Sequence, residues 1–455
     1  MSLLLLVFLP LAMIGPVYFL RRYWTVAVGM SLATILALLG ICVAYSQAQP
    51  EYLLGRELVL GDLHRFLLAL FCVLAGFMVL YAWREPQGWA FFPSLLAILG
   101  LVNGAMMIKT FLIAVLLLEM AGLVFVFMMH GRRPAPTGTA LGYLVALVVA
   151  APCLLVVAWL VESYALQPED LLLIRFAVIA LSVGFGIFLA AVPFHSWLPP
   201  VAGDTPPMAA AVVICIFGQV SLSLLVGALN DNAWLVTGSP ILWVISASGL
   251  LTALLGGVLA FAQRDPGRLL GYAAISDLGF VLVGLGAGTA LGTTAALSHM
   301  VNRSLMVLLL AMSLGSLRTY LRRKGRHPFT LRRALSSTPG GILGYISGGL
   351  AIGGFPLLNG FATRWLIYRS VSEHEAIFVG ALVLAGVGVV LGYLRSLSVI
   401  LGGVAEGDED REPRFTTALI LSLALLCLLL GLFPGLLVTP IQSMLQTVTP
   451  LGPGS

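Results

Sequence analysis

Fourteen apolar runs of about twenty residues, joined mostly by loops of a few residues, constrain this chain more than any other feature. Hydrocarbon offers no partner for backbone N–H and C=O groups, so a run of that length crosses a bilayer as a helix that pairs its own backbone. The runs lie near residues 2–20, 25–45, 64–83, 88–107, 110–130, 138–161, 171–191, 208–228, 239–263, 268–287, 292–317, 339–368, 376–402 and 415–438. Only 9% of the residues are charged and 60% are hydrophobic, whereas about a quarter of a soluble domain is charged. The expected fold is an all-α integral membrane bundle, which excludes a soluble redox enzyme.

Lys and Arg mark the cytoplasmic loops of such proteins. Here they gather in alternate loops, at Arg21 and Arg22, Arg84, Arg132 and Arg133, Arg264 and Arg268, the 318–333 loop, and Arg411 and Arg414. The other loops hold only Arg56, Arg65, Lys109 and Arg369. This asymmetry predicts both termini outside and the 318–333 loop in the cytoplasm. The net charge of +5 is then a consequence of topology and does not imply nucleic-acid binding. The first run lacks the basic flank that precedes a cleaved signal, so a retained helix is expected. Cys42, Cys72, Cys153, Cys215 and Cys427 lie singly inside runs, without the spacing of a metal or iron–sulfur site, and read as small buried apolar residues.

Within the runs a few polar residues stand out. Glu119 lies near the centre of TFLIAVLLLEMAGLVFVFMMH (110–130), with no charged residue within nine positions on either side. An ionisable group at that depth costs about 2.5–3.5 kcal/mol to insert, which marks it as a functional candidate. The alternative is a protonated Glu hydrogen-bonded to a neighbouring helix. VPFHSWLPPVAGDTPP (192–207) must interrupt its helix: Pro193 lacks a backbone donor, and Pro199 and Pro200 should end any helical turn containing His195. His195 reads equally as a proton carrier or as a helix-end hydrogen bond. The helix after Pro206 and Pro207 carries a single amide, Gln219.

A second polar set follows. RDPGRLLGYAAISDLGF (264–280) places Asp277 two turns into a helix, and SHMVNRSLM (298–306) places His299 and Arg303 four apart, on one face. Asp277 is the expected partner of Arg303, as a pathway element or as a structural ion pair. In GGLAIGGFPLLNGFATRWLIYRS (348–370), Gly353, Gly354 and Pro356 interrupt another helix one turn or more before Arg364. Two interrupted helices at corresponding places in two five-helix stretches are a pointer to repeat-built transporters. The expected divisions are 1–87, 88–228 with a break near 188–200, 239–402 with a break near 353–360, an acidic loop 403–414, a last span 415–438 and a tail 439–455. The acidic loop reads as a solvated linker or a docking segment for a partner.

LLLEMAGL, VPFHSWLPPVAGDTPP, GRLLGYAAISDLGF, SHMVNRSLM and GGFPLLNGFATRW together resemble the signature regions of antiporter-like subunits of respiratory complex I, multisubunit sodium/proton antiporters and membrane-bound hydrogenases. The resemblance covers most of residues 88–402. It implies a fourteen-helix fold with two inverted five-helix repeats, broken helices seven and twelve, and a water-lined row of charged groups near the midplane. On it, Glu119 matches the helix-five Glu, and Arg364 falls on the helix-twelve Lys/Glu position.

The departures bear on mechanism. The helix-seven Lys position is Phe188, the helix-eight Lys position is Gln219, the second helix-eleven His is Arg303, and the Lys that commonly follows is Val307. Arg keeps its proton at any accessible pH, so Arg364 sets a field and cannot relay. The resemblance implies a proton- or cation-translocating subunit of a complex I-like or hydrogenase-type assembly in a bacterial inner membrane, with other integral membrane subunits as partners. The competing expectations are a non-pumping scaffold of the same assembly and a cation-driven subunit of an inorganic-carbon uptake complex. No catalytic triad, metal cage, nucleotide fingerprint or quinone site is legible, so catalysis is expected from partners and no cofactor or metal is assigned. A lone carboxylate with water and amides suits either proton or sodium.

Overall fold

The computed structural model describes residues 3–45, 51–53, 55–129, 136–166, 170–323, 335, 337–372, 376–401 and 411–445. Most of the acidic loop, the Arg132–Arg133 pair, the basic residues from Lys324 to Arg333 and the tail beyond residue 445 lie outside these. Among the described residues the chain is helical apart from one antiparallel hairpin, Glu51–Leu53 against Arg56–Leu58. Twelve helices are long and apolar enough to cross a membrane, as expected of an integral membrane protein.

Some boundaries differ from the sequence reading for identifiable reasons. Twelve of the fourteen runs form long apolar helices, Phe91–Met107 is shorter than a typical span, and residues 339–368 form two pieces, Pro339–Ile352 and Asn359–Ser372, at the expected break. The 415–438 run ends at Leu432, and a short helix, Gly435–Leu445, follows Pro434, which cannot continue a hydrogen-bonded helix. The hairpin within residues 51–58 has no strong sequence signal beyond Gly55, whose φ of 73° places it in the left-handed region.

The chain divides into two compact units, residues 1–189 with 216–239, and residues 190–215 with 240–455. In the first unit, Phe91–Met107 is buried along almost its whole length. It closes on Leu4–Ala12 because Gly100 lacks a side chain: a Cβ there would lie 2.9 Å from the Val7 carbonyl oxygen. Asn103 Nδ2 adds a hydrogen bond to the Leu6 carbonyl at 2.9 Å. Small residues at a helix contact, with an amide across it, are the usual means of holding helices together in lipid.

The second unit is centred on Pro266–Gly286 and Ala290–Arg323, whose most apolar stretches are 94% and 100% buried. Ile241–Ala262 packs against Pro266–Gly286 through glycines. A Cβ at Gly256 would sit 2.4 Å from the Ser276 nitrogen, and one at Gly279 would sit 2.3 Å from the Ala253 nitrogen. The two backbones are thus in direct contact, and no larger residue fits at either position.

Both interruptions read from the sequence are present. Leu171–Leu189 ends, Ala190 takes φ 58°, and the Val192–Pro193 bond is cis. The freed backbone of Val192 is satisfied from Ile241–Ala262: its N–H donates to Thr252 Oγ1 at 3.0 Å and its carbonyl accepts from Ser248 Oγ at 3.2 Å. Pro199 and Pro200 correct one expectation. They open a helix, Leu198–Asp204, rather than end one, because a first-turn residue has no helical acceptor for the N–H that proline lacks. Pro206 and Pro207 lead into the next helix. The second interruption separates Ile352 from Asn359, with Gly354 at φ 81° and Leu357 at φ 75°. Gly360 lets the chain return close to itself, since a Cβ there would meet the Ala351 carbonyl oxygen at 2.0 Å.

Glu412, at the edge of the acidic stretch, docks within its own unit. Its carboxylate accepts from the Gly340 and Gly341 N–H groups at 2.7 and 3.1 Å, and from Ser316 and Thr417 hydroxyls at 2.5 and 2.9 Å. It therefore caps the positive end of Pro339–Ile352. Glu412→Ala removes these acceptors together and is expected to lower stability by about 1–2 kcal/mol. Thermal unfolding in detergent checks this, with Glu412→Gln losing less than Glu412→Ala because one carbonyl oxygen remains as an acceptor.

Candidate functional site

A buried polar cluster occupies the second unit where the interrupted helix meets its neighbours. Asp277 on Pro266–Gly286 is fully buried, and its Oδ1 receives two donors, Arg364 Nη2 at 2.7 Å and His299 Nε2 at 3.0 Å. A carboxylate held against a guanidinium is ionised and only accepts, so His299 Nε2 carries a hydrogen. On the other side of the ring, His299 Nδ1 lies 2.7 Å from Thr363 Oγ1. Thr363 Oγ1 in turn receives Asn302 Nδ2 at 3.3 Å. Asn302 and Asn359 exchange hydrogen bonds, Asn302 Nδ2 to the Asn359 carbonyl at 3.0 Å and Asn359 Nδ2 to Asn302 Oδ1 at 3.2 Å. The result is a continuous line, Asp277–His299–Thr363–Asn302–Asn359, across three helices.

Arg364 joins this line to the helix break. Pro339–Ile352 stops at Ile352, leaving carbonyl oxygens with no helical donor. Arg364 Nη2 donates to the Ile352 carbonyl at 2.6 Å, and Nη1 donates to the Gly353 carbonyl at 2.9 Å. Its guanidinium carbon also lies 3.8 Å from the centre of the Phe280 ring, a cation–π contact strengthened by burial. The permanent charge thus sits at the negative end of one half-helix and is neutralised by Asp277. Gly354 makes the approach feasible, since a Cβ there would be 2.7 Å from Arg364 Nη1. Pro356 lies in the turn that follows.

Arg303 does not pair with Asp277, contrary to the sequence expectation. Pro266–Gly286 and Ala290–Arg323 run antiparallel, so His299 faces Asp277 while Arg303, one turn further, faces the turn before Asp277. Its Nη2 donates to the Ala274 carbonyl at 3.1 Å and its Nη1 to the Ile214 carbonyl at 3.0 Å. Ile214 belongs to a π-helical stretch, Val212–Phe217, where the wider turn frees a carbonyl from the regular ladder. Ser304 adds Oγ to the Cys215 carbonyl at 3.5 Å, and Cys215 Sγ lies 3.3 Å from the Ser304 carbonyl. Arg303 therefore pins an irregular turn, as Arg364 pins a break.

The remaining sequence candidates lie elsewhere. His195 opens the short turn His195–Trp197, half-buried, with Nδ1 lacking a partner among the described residues and its ring 6.4 Å from Tyr272. In the first unit, Glu119 is half-buried on Phe111–Met129, and Gln219 is fully buried with neither end of its amide hydrogen-bonded among the described residues. Phe188 and Val307 are buried apolar residues. Sequence reasoning missed Asn302, Asn359, Thr363 and Phe280. A signal was present, because Asn359 and Thr363 are four apart and Asn302 adjoins Arg303 in spans that contain few other polar residues.

Removing one side of the Asp277–Arg364 pair leaves the other charge buried. Arg364→Gln and Asp277→Asn are each expected to cost about 3–5 kcal/mol. The double variant should lose clearly less than the sum, because the two act on one interaction. Thermal unfolding of the four proteins in detergent supplies the cycle.

Residues 169–392 match the transmembrane family described as NADH:quinone oxidoreductase/Mrp antiporter. Formate hydrogenlyase subunit 3 of Escherichia coli K12 is 27% identical over 372 residues, covering 74% of this chain and 59% of its own length. NADH-quinone oxidoreductase subunit N 2 of Acidobacterium capsulatum is 30% identical over 298 residues, covering 60% of this chain and 57% of its own. The chain therefore spans little more than half the length of these relatives. Among solved structures, a chain of the Mrp complex from Dietzia superposes with a TM-score of 0.84 at 20% identity, over 99% of this chain and 52% of that one. A chain of respiratory complex I from Thermus thermophilus superposes with a TM-score of 0.81 at 19% identity, over the whole of both. By these matches the chain is similar to antiporter-like membrane subunits, whose fold it shares.

Proposed function

We propose that this chain is an ion-translocating antiporter-like subunit of a multisubunit complex I-like or hydrogenase-type assembly, moving protons or another cation as a partner releases energy. The observation that carries this reading is the buried line Asp277–His299–Thr363, in which an imidazole bridges a carboxylate and a hydroxyl beside the helix break. An imidazole so placed accepts a proton at one nitrogen and releases it from the other. Glu119 is the corresponding ionisable group of the first unit, and a half-buried carboxylate in a span serves no packing need.

The working assignment places the first repeat in 88–228 and the second in 239–402, with other integral membrane subunits as partners. It places the chain in a bacterial inner membrane, both termini outside and the 318–333 loop cytoplasmic. The family's lysine positions are Phe188, Gln219 and Val307 here, so Gln219 and bound water take the place of a titrating side chain in the first half. His195 stands beside the first break as a further proton-exchanging group. The second reading, a non-pumping scaffold, is favoured by one observation: both Arg303 and Arg364 have their guanidinium donors engaged by backbone carbonyls.

Proton pumping by the intact assembly in liposomes separates the two. Glu119→Gln and His299→Ala should each reduce pumping at least about tenfold, with assembly unchanged. Undiminished pumping in both variants would establish the scaffold reading.

A further inference from the structure

Tyr393 is buried on Ala376–Leu401, and its hydroxyl has no hydrogen-bond partner among the described residues. A buried hydroxyl without a partner costs stability, and Phe would fill the same space without that cost. Packing alone therefore does not account for a tyrosine at this position. Its ring lies against Pro339–Ile352 at Gly349, where a Cβ would be 2.8 Å from Tyr393 Cγ. The ring centroid is 5.4 Å from that of Tyr345, which is also buried and whose hydroxyl lies 2.7 Å from Ser396 Oγ.

These groups stand in order between the helix break and the surface. Tyr345, Gly349 and Gly353 follow at four-residue intervals, on one face of the half-helix and its end. At the inner level the Gly353 carbonyl accepts from Arg364 Nη1 at 2.9 Å. Tyr393 occupies the middle level and the Tyr345–Ser396 contact the outer one. Ala376–Leu401 repeats the order: a Cβ at Gly386 would lie 3.1 Å from Arg364 Nη1, Tyr393 comes about two turns later, and Ser396 about one turn after that. Tyr393 lies in the field of Asp277 and of Tyr345, and Tyr345 in the field of Asp265 and Arg318. Asp265 is exposed and stands 3.8 Å from Arg318. At the inner end, Asp277 Oδ2 is buried with no donor among the described residues.

We propose that Tyr393 and the Tyr345–Ser396 pair are relay groups of a proton arm that joins the Asp277–His299 cluster to the end of the unit bearing Asp265 and Arg318. This rests on the translocating reading above and gives its buried cluster an aqueous outlet. A hydroxyl relays by accepting a proton on its oxygen while releasing its own, so each group ends neutral, and water carries the proton between them. The arm meets the cluster at Asp277 Oδ2.

The test is proton pumping by the intact assembly in liposomes, with thermal unfolding of the same proteins in detergent. Tyr393→Phe should lower pumping at least about tenfold while leaving the unfolding temperature unchanged or raised, an opposition that a structural role does not produce. Tyr345→Phe should lower pumping as well. Tyr143→Phe, which removes a hydroxyl bonded to the Gly122 carbonyl in the first unit, should leave it unchanged. Undiminished pumping by Tyr393→Phe, or an equal loss in Tyr143→Phe, would overturn the arm. Failure of Tyr393→Phe to assemble would also overturn it, by giving the hydroxyl a structural role. Glu119→Gln and His299→Ala measured alongside separate the two levels: a loss in these with none in Tyr393→Phe removes the arm alone, whereas no loss in any of them removes the translocating reading and the arm with it.

Discussion

The structure of the second unit depends on how a membrane helix can stop inside a protein. Every carbonyl released by the stop must find a donor, because lipid supplies none. At Ile352 and Gly353 that donor is the Arg364 guanidinium, and the charge it brings is balanced by Asp277. Remove Arg364 and both carbonyls lose their donor, while Asp277 keeps only His299. The break, the buried ion pair and the placement of His299 are therefore one arrangement. Gly354 leaves room for the Arg364 guanidinium and Gly360 for the close approach to the Ala351 carbonyl.

The first interruption solves the same problem by a cheaper route. Val192 finds its donor and acceptor in neutral hydroxyls, Ser248 and Thr252, and no charge is buried. This contrast bears on the division of labour within the chain. A neutral clasp leaves nothing that must stay ionised, whereas the charged clasp at the second break commits a carboxylate and a guanidinium permanently.

Much of this was legible in the sequence. The two interruptions follow from proline and glycine placed within apolar runs, and Asp277, His299, Arg303 and Arg364 stood out because each is polar where neighbours are not. What could not be read was pairing. Periodicity puts His299 and Arg303 on one face but does not give the antiparallel register that hands Asp277 to His299 and the Ala274 carbonyl to Arg303. Pro199 and Pro200 were read as terminators because proline is excluded from helix interiors, yet the same missing N–H is harmless in a first turn. The hydrophobic pattern also could not reveal the close contacts at Gly256 and Gly279, where the informative feature is the atom that is absent. Glu412 looked like one more charge in an acidic stretch, and only its distance to the 340–341 backbone marks it as a cap.

The π-helical stretch Val212–Phe217 has a consequence for comparing this chain with its relatives. A wide turn absorbs one extra residue locally, and in an ordinary helix each residue advances the facing direction by about 100°. Positions after Phe217 are therefore rotated with respect to a helix that lacks the bulge. A relative with a regular helix here presents to the same neighbours a residue one place earlier in its sequence. Equivalence along this helix is accordingly a matter of facing rather than of counting.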